Sequence, residues 1–478
     1  MVQKFFAAIF IYYAFMVSNN TYAQFTLAEI PPLDNKKPLT LVAEKGFWTD
    51  YLQQQLLPKF TAQTQVPVNV VSLPLEQMYP LQTQSLLAGK GQYDLLTMEA
   101  GWAKEWASNG YTVPLTELAS LYDPQGEQAM NHYLEPYYAS LLNILSYRNQ
   151  VHAIPYNNYV MGNHYRSDLF EHAEEKANFK ARYHYALAPP RDFKQLLDIS
   201  EFFTRQAGDT LAGQRLNQPF YGLTLMAGKR PHINDEFSSI LWSLGGHWMK
   251  PNYQHDELSL FTISADNQPL RQAAEIYRQL LQYAYPTDKN FAFEQAANAL
   301  ANGKVAMWPF AYNNLWQASY KAEQNINGAR LKVTQVPGGK PYNGAYAFAV
   351  AYDSHNPTAA YWLLKYMGSY QAQYDYALGG GNPCRADVVL SAELGQPQLR
   401  AINGALTASH KANISWAKNI ANQGHFTSSA MGRIYPELTK ACYQLANKNN
   451  DIDSQVQLLR QRILEIQNHH GEVPAIVK

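Results

Sequence analysis

Between Leu39 and Met98 the chain switches repeatedly between strand-like and helix-like patterning, and this alternation constrains the fold more than any other feature. Leu39–Ala43 is a short apolar run, and Phe47–Thr64 then places Trp48, Leu52, Leu56 and Phe60 at helical spacing. Val66–Leu73 reads as a second strand, Leu75–Leu87 as a helix and Tyr93–Met98 as a third strand. Parallel strands cannot be joined by a tight turn; each pair needs a crossover, usually a helix. The alternation therefore predicts an α/β fold, a parallel sheet wrapped on both faces. In such sheets ligands collect at the loops beyond the strand carboxyl ends. The loop after the third strand, Glu99-Ala-Gly-Trp102, sets an acid and a tryptophan there, side chains suited to a hydroxyl-rich ligand.

The 478 residues suit two or three domains rather than one. Positive and negative side chains balance at 38 each, so the chain lacks the basic field that nucleic-acid binding needs. Charged residues make up 16%, against roughly 25% in typical globular domains, while Tyr alone occurs 34 times. A neutral, aromatic-rich chain points to uncharged polar partners. At the N-terminus, Lys4 precedes an apolar run, Phe5–Val17, and then a polar stretch ending in Thr21-Tyr22-Ala23. This pattern predicts a secretory signal peptide over residues 1–23, cleaved after Ala23. The apolar run falls short of the roughly 20 residues that span a bilayer, so export of a soluble mature chain is expected. Cys384 and Cys442 are the only cysteines. In an oxidising compartment they form either a disulfide or two buried thiols, and they do not make a zinc site, which needs four clustered ligands. There is no P-loop, G-x-S-x-G elbow or H-E-x-x-H motif, and no cofactor, metal or catalytic residue is expected.

Further along, Asn131–Tyr147 reads as helix, Val151–Pro155 and Tyr159–Tyr165 as strands, and Glu171–Pro190 as an irregular surface insertion. Val305–Trp308 is a strand opening into Pro309–Asn314, and strands follow at Leu331–Val336 and Tyr346–Ala351 before a helical C-terminal portion.

Several phrases along this order have the pattern of one known family. They are Tyr93-Asp94-Leu95-Leu96 with Gly110-x-x-x-Pro114-Leu115; His152-Ala-Ile-Pro155; Leu244-Gly-Gly246; Ala299-Leu-Ala-Asn-Gly-Lys-Val-Ala-Met307; and Val336-Pro-Gly-Gly. Their order and spacing over essentially the whole mature chain resemble family 1 extracellular solute-binding proteins, the maltose-binding-protein-like receptors of ABC importers. Asp192-Phe193 departs from the Trp-acid pair of many members.

The resemblance implies a type II-like periplasmic binding protein fold. Two lobes, each a mostly parallel sheet flanked by helices, would be joined by several crossings and would close on ligand like a clamp. Lobe 1 would hold residues 24–150 plus 346–380, and lobe 2 residues 151–345 plus 381–478. Both cysteines then fall in lobe 2, which favours their pairing. The implied function is a monomeric periplasmic receptor without catalysis, binding a mono- or oligosaccharide between the lobes and docking on an inner-membrane ABC permease. An acidic solute, such as a uronic-acid oligosaccharide or a glycerophosphodiester, is the alternative within this class. An exported carbohydrate-active enzyme or a sensor module is the alternative outside it. Carried over segment by segment, the ligand-binding residues would be Lys45 and Trp48, then Glu99 and Trp102, in lobe 1. In lobe 2 they would be Lys229, Arg230 and His232, then Trp308, Tyr312, Asn313 and Asn314. Tyr156, Asn157, Gly344 and Tyr346 would stand near the crossings, and Arg433 and Tyr435 near the late helices.

Overall fold

The computed structural model of the protein describes residues 25–251, 261–263, 268–417, 426 and 428–469; the expected signal peptide, with its cleavage point after Ala23, lies outside them. Nine strands form the two larger sheets: β1 (Leu39–Glu44), β2 (Val68–Leu73), β3 (Leu95–Glu99), β4 (Ile154–Asn158), β5 (Met161–Arg166), β6 (Tyr221–Leu223), β7 (Val305–Tyr312), β8 (Leu331–Thr334) and β9 (Ala345–Val350). Seven helices are named below: α1 (Leu75–Ala88), α2 (Ala103–Ser108), α3 (Ala173–Tyr183), α4 (His232–Ser243), α5 (Phe293–Ala301), α6 (Arg400–Ala417) and α7 (Met431–Ala446).

The first sheet runs β2-β1-β3-β9-β4. β1 lies parallel to both β2 and β3, as the alternation predicts, with Leu41 opposite Val70 on one side and Leu95 on the other. Leu39, Leu41, Val42, Leu95 and Leu96 are fully buried in it, each worth about 1.5–3 kcal/mol of burial. The crossover from β1 to β2 is helical through Phe47–Tyr51, Leu52–Leu56 and Leu57–Thr64. It buries Trp48, Leu52, Leu56 and Phe60 and stops at Gln65, which takes a left-handed conformation at φ 61°.

The second sheet runs β6-β7-β5-β8. Only β6 and β7 are parallel there; β5 is antiparallel to both β7 and β8. The expected mostly parallel sheets are therefore found with one reversed strand in each, β5 in the second and β9, antiparallel to β3 and β4, in the first. The parallel rule applies to strands joined by a helical crossover. β9 instead arrives straight from the second sheet, through residues 335–344, and enters from the opposite end.

Three local expectations also change. β4, placed beyond the first crossing from sequence, is hydrogen-bonded in the first sheet, so that only Tyr159-Val160 separates it from β5 in the second. The stretch read as an irregular insertion contains α3, which buries Phe179 against Tyr183, Tyr185 and Phe202. The helix expected over Asn131–Tyr147 breaks into Gly126–Leu134 and Ala139–Ile144 around Pro136, whose ring cannot sit in a helix interior.

Candidate functional site

A cavity of about 530 Å³ opens where the carboxyl ends of β1 and β3 face elements attached to the second sheet, a size within the roughly 300–1,000 Å³ of small-molecule sites. Glu44 is the last residue of β1 and Glu99 the last of β3. Because these strands are parallel, both carboxyl groups come to the same edge, and both line the cavity. Trp48 follows in the helical segment Phe47–Tyr51 and Trp102 at the N-terminal end of α2, and α1 adds Glu76 and Tyr79. Across the space stand Lys229 before α4, His232 and Asp235 in its first turn, Phe293 of α5, Tyr312 at the end of β7 with Asn314 beyond it, and Tyr435 of α7. Asn157, Tyr159 and Tyr342, on the crossings, close the back.

The walls are largely aromatic. Trp102 packs between Tyr79 at 5.7 Å and Trp106 at 5.5 Å. Trp48 meets Tyr346 at 6.4 Å and Phe293 at 6.3 Å, so it touches elements of both sheets. Tyr159 stands edge-on to Tyr312 at 5.7 Å. Its place depends on Gly344, where a Cβ would come within 2.1 Å of the Tyr159 ring.

Tyrosine hydroxyls hold two of the acids. Tyr159 donates to Glu99, and Tyr312 and Tyr435 donate to the two oxygens of Asp235. Burial dominates the titration of these groups. It pushes Glu99 up to about 8, with the Tyr159 bond opposing and Asp235 adding to the rise. Burial likewise raises Asp235 to about 7, against the pull of Tyr312, Tyr435 and Asn234. Glu44 is held well above its ordinary value by burial first, then by Glu99, Glu294 and Glu76. His232 is pushed down to about 3 by burial and by Arg230, so its imidazole is neutral. Three buried polar atoms on lining residues, Trp48 Nε1, Asn157 Oδ1 and Asn314 Oδ1, have no hydrogen-bond partner. Buried polar groups are almost always paired, so unmet ones on cavity-lining residues, one donor and two acceptors here, are candidates for hydrogen bonds that a ligand completes.

A sequence profile of bacterial extracellular solute-binding proteins matches residues 47–374. The chain belongs to this family. Among solved structures, the solute-binding protein resembles an ABC transporter solute-binding protein from Agrobacterium radiobacter K84 in complex with ribitol, at 18% identity and a TM-score of 0.72, over 92% of this chain and 100% of that one. It also resembles one from Thermotoga lettingae TMO bound with α-D-tagatose, at 17% identity and a TM-score of 0.66, over 91% and 100% of the two chains. The maltotriose-binding protein of Thermus thermophilus bound with maltotriose matches at 15% identity and a TM-score of 0.62, over 91% and 100%. These likenesses establish the two-lobe periplasmic binding protein fold. No curated protein matches the sequence significantly. Among the described residues no helix is long and apolar enough to cross a membrane, and no group of His, Cys, Asp and Glu could hold a metal ion.

Of the residues expected at the site, the solute-binding protein gathers Trp48, Glu99, Trp102, Asn157, Lys229, His232, Tyr312, Asn314, Tyr346 and Tyr435 around the one cavity. The others lie elsewhere, each for a definite reason. Lys45 is exposed, one residue past Glu44, which takes the inward position instead. Tyr156 falls at the irregularity in the β4–β9 register, between Asn157 opposite Tyr346 and Pro155 opposite Ala347, and stacks on Tyr376 at 4.7 Å in the core. Trp308 is fully buried, because β7 continues through Pro309 to Tyr312 and leaves it in mid-strand beside His164 at 6.1 Å. Asn313 is buried with its Oδ1 3.1 Å from His164 Nε2. Gly344 makes room for Tyr159, as described. Arg230 is ion-paired with Glu76 of α1, bridging the two sides of the cavity. Arg433 is exposed on α7.

The expected disulfide is also corrected: Cys384 and Cys442 are both buried and free. Cys384 lies by the Tyr137–Tyr138 segment, its backbone oxygen accepting from the Tyr138 N–H at 3.3 Å. Cys442 faces α4, 3.9 Å from Asn234 Oδ1. A shared lobe did not mean a shared neighbourhood.

Sequence inspection missed Glu44, Glu76, Tyr79, Tyr159, Asp235 and Tyr342. The closing acid of β1 was legible by analogy with Glu99, since both end parallel strands of one sheet. Asp235 carried no such signal, lying inside the first turn of a helix whose eleven residues His232–Trp242 are all buried.

Proposed function

We propose that the protein is the periplasmic solute-binding component of an ABC importer and that it binds a carbohydrate in the cavity between its lobes. The observation that carries this is the combination of aromatic walls with unpaired buried polar atoms in a space of about 530 Å³. Indole and phenol faces cover the apolar C–H faces of a sugar ring, while Asn157, Asn314, Trp48 and the carboxyl groups bond its hydroxyls. At roughly 30 Å³ per water the cavity equals about eighteen waters, room for one or two sugar rings rather than a long glycan. The sugar or sugar alcohol in each of the neighbours above agrees with this class. Glu44, Glu99 and Asp235 disfavour the acidic-solute alternative, since an anion beside them requires all three to be held protonated.

The lobes of this reading centre on the two sheets, with lobe 1 at residues 25–158 plus 345–380 and lobe 2 formed by the other described residues. Selectivity between sugars would come from the buried groups that a wrong epimer leaves unpaired, roughly 1–3 kcal/mol each. Bound solute is handed to a permease unchanged, so no turnover is expected. The test is a thermal-shift screen of the mature protein against mono- and oligosaccharides, sugar alcohols and non-sugar solutes, with chromatography of any ligand that binds. Stabilisation growing as RT ln(1 + [L]/Kd), with the sugar recovered intact, supports the proposal. A shift only with non-sugar solutes, or recovery of a cleaved product, overturns it.

A further inference from the structure

Three carboxyl groups face the cavity, Glu44 and Glu99 from the edge of the first sheet and Asp235 from across it, and no ion pair reaches any of them among the described residues. Glu99 accepts from Tyr159, and Asp235 from Tyr312 and Tyr435. The Glu44 carboxyl has no hydrogen-bond partner at all among the described residues, although Glu44 is only partly exposed. Positive charge does not balance them from within. Lys229 and Lys440 line the rim with exposed side chains, Arg230 is committed to Glu76, and His232 is neutral. Independently of these acids, Asn157 and Asn314, 1% and 4% exposed, line the same cavity and each has a buried carbonyl oxygen without a hydrogen-bond partner.

The wall thus offers an excess of acceptors set among aromatic faces. A hydroxyl brings one donor hydrogen. An ammonium group brings three, each forming a charge-assisted bond to carboxylate roughly twice as strong as a neutral one. Aromatic faces also attract a cation within ~6 Å of the ring centre. Resting on the carbohydrate reading, we infer that the ligand is an amino sugar whose protonated amine seats against Glu44, Glu99 and Asp235.

The inference carries its own signature. Burial holds Glu99 up to about 8 and Asp235 to about 7, so at pH 7 without a cation Glu99 is mostly protonated and Asp235 about half. The other charged groups facing this wall are Glu76, Glu294, Lys229, Arg230 and Lys440. An arriving ammonium favours the carboxylates, and the displaced proton leaves to the buffer. A neutral sugar releases none.

Isothermal titration at pH 7 in phosphate and in Tris, with matched pairs, tests this. The pairs are glucosamine and glucose, galactosamine and galactose, mannosamine and mannose, and deacetylated chitobiose and cellobiose. In the pair that binds, the amine should bind about tenfold or more tighter than its parent, equivalent to ~1.4 kcal/mol, with a heat that depends on the buffer. An equal or tighter parent sugar, or proton-free binding of the amine, overturns the inference while leaving the carbohydrate proposal standing. Failure of every member of every pair overturns both. Glu44→Gln, an isosteric change, should cut the preference for the amine over its parent at least threefold, read as the ratio of the two affinities in the same variant; an unchanged ratio also overturns it.

Discussion

Replacing Glu99 by Gln should make the solute-binding protein more stable, and increasingly so as pH rises. The cause is the position of Glu99, at the end of a buried parallel strand, its carboxyl facing an aromatic cavity with one tyrosine donor. Burial lifts its pKa from an ordinary 4.5 to about 8. The sign follows from linkage: for a carboxyl favoured in its protonated form by folding, stability is fully present below 4.5 and is lost as pH climbs towards 8. At 1.36 kcal/mol per pKa unit, the climb from pH 5 to pH 8 costs roughly 3–4 kcal/mol, and about half of that where water screens the group. The glutamine amide cannot ionise, yet its carbonyl still accepts from the Tyr159 hydroxyl. Other buried acids titrate in both proteins and largely cancel in the difference. Urea unfolding of native and E99Q protein, in steps from pH 5 to pH 8, should therefore show a stability gain growing from near zero to about 2–4 kcal/mol. A gain independent of pH, or a variant less stable at pH 8, would refute the assignment of Glu99 as a buried, protonated acid.

Three other perturbations follow from particular contacts. Arg230→Gln or Glu76→Gln removes an ion pair that joins the two sides of the cavity but is itself 40% and 38% exposed, so stability should move by less than about 1 kcal/mol while ligand dissociation quickens in stopped-flow fluorescence. An unchanged dissociation rate would show that the pair does not hold the clamp. Trp308→Phe should destabilise by ~1–3 kcal/mol, below the 3–5 kcal/mol of truncating a buried aromatic to Ala, and leave ligand affinity unaltered; weakened binding at unchanged stability would return Trp308 to the site. With both cysteines free and buried, thiol titration without reductant should find none reactive in native protein and two after unfolding; a count of zero after unfolding would restore the disulfide.

The segments legible in the sequence were those whose signal is local. The β1–β3 alternation, the acid and tryptophan after β3 and the Lys229–His232 loop all follow from periodicity and from the rule that parallel strands deliver ligands at their carboxyl ends. What escaped depends on long-range geometry. Tyr159 looked like the start of a strand, and only the antiparallel entry of β9 beside β4 turns it into the cavity's back wall. Tyr156 and Asn157 read alike, yet at the irregularity where β4 pairs with β9 Tyr156 packs in the core and Asn157 lines the cavity. Trp308 was misplaced because a proline at position 309 looked like a strand end, whereas β7 bulges between Trp308 and Ala311 and carries on. The cysteines illustrate the same limit, since assignment to one lobe does not set the few ångströms that a disulfide demands.

The central claim, that a sugar binds among the aromatic walls between the two sheets, is tested most directly by titration calorimetry of one stabilising sugar into the mature protein and into the Trp48→Ala, Trp102→Ala double variant. The account predicts a single saturable site in the native protein and at least a hundredfold loss in the variant, ~2.7 kcal/mol, with a cooperative melt retained. The same isotherm in both proteins would contradict it and place the sugar elsewhere.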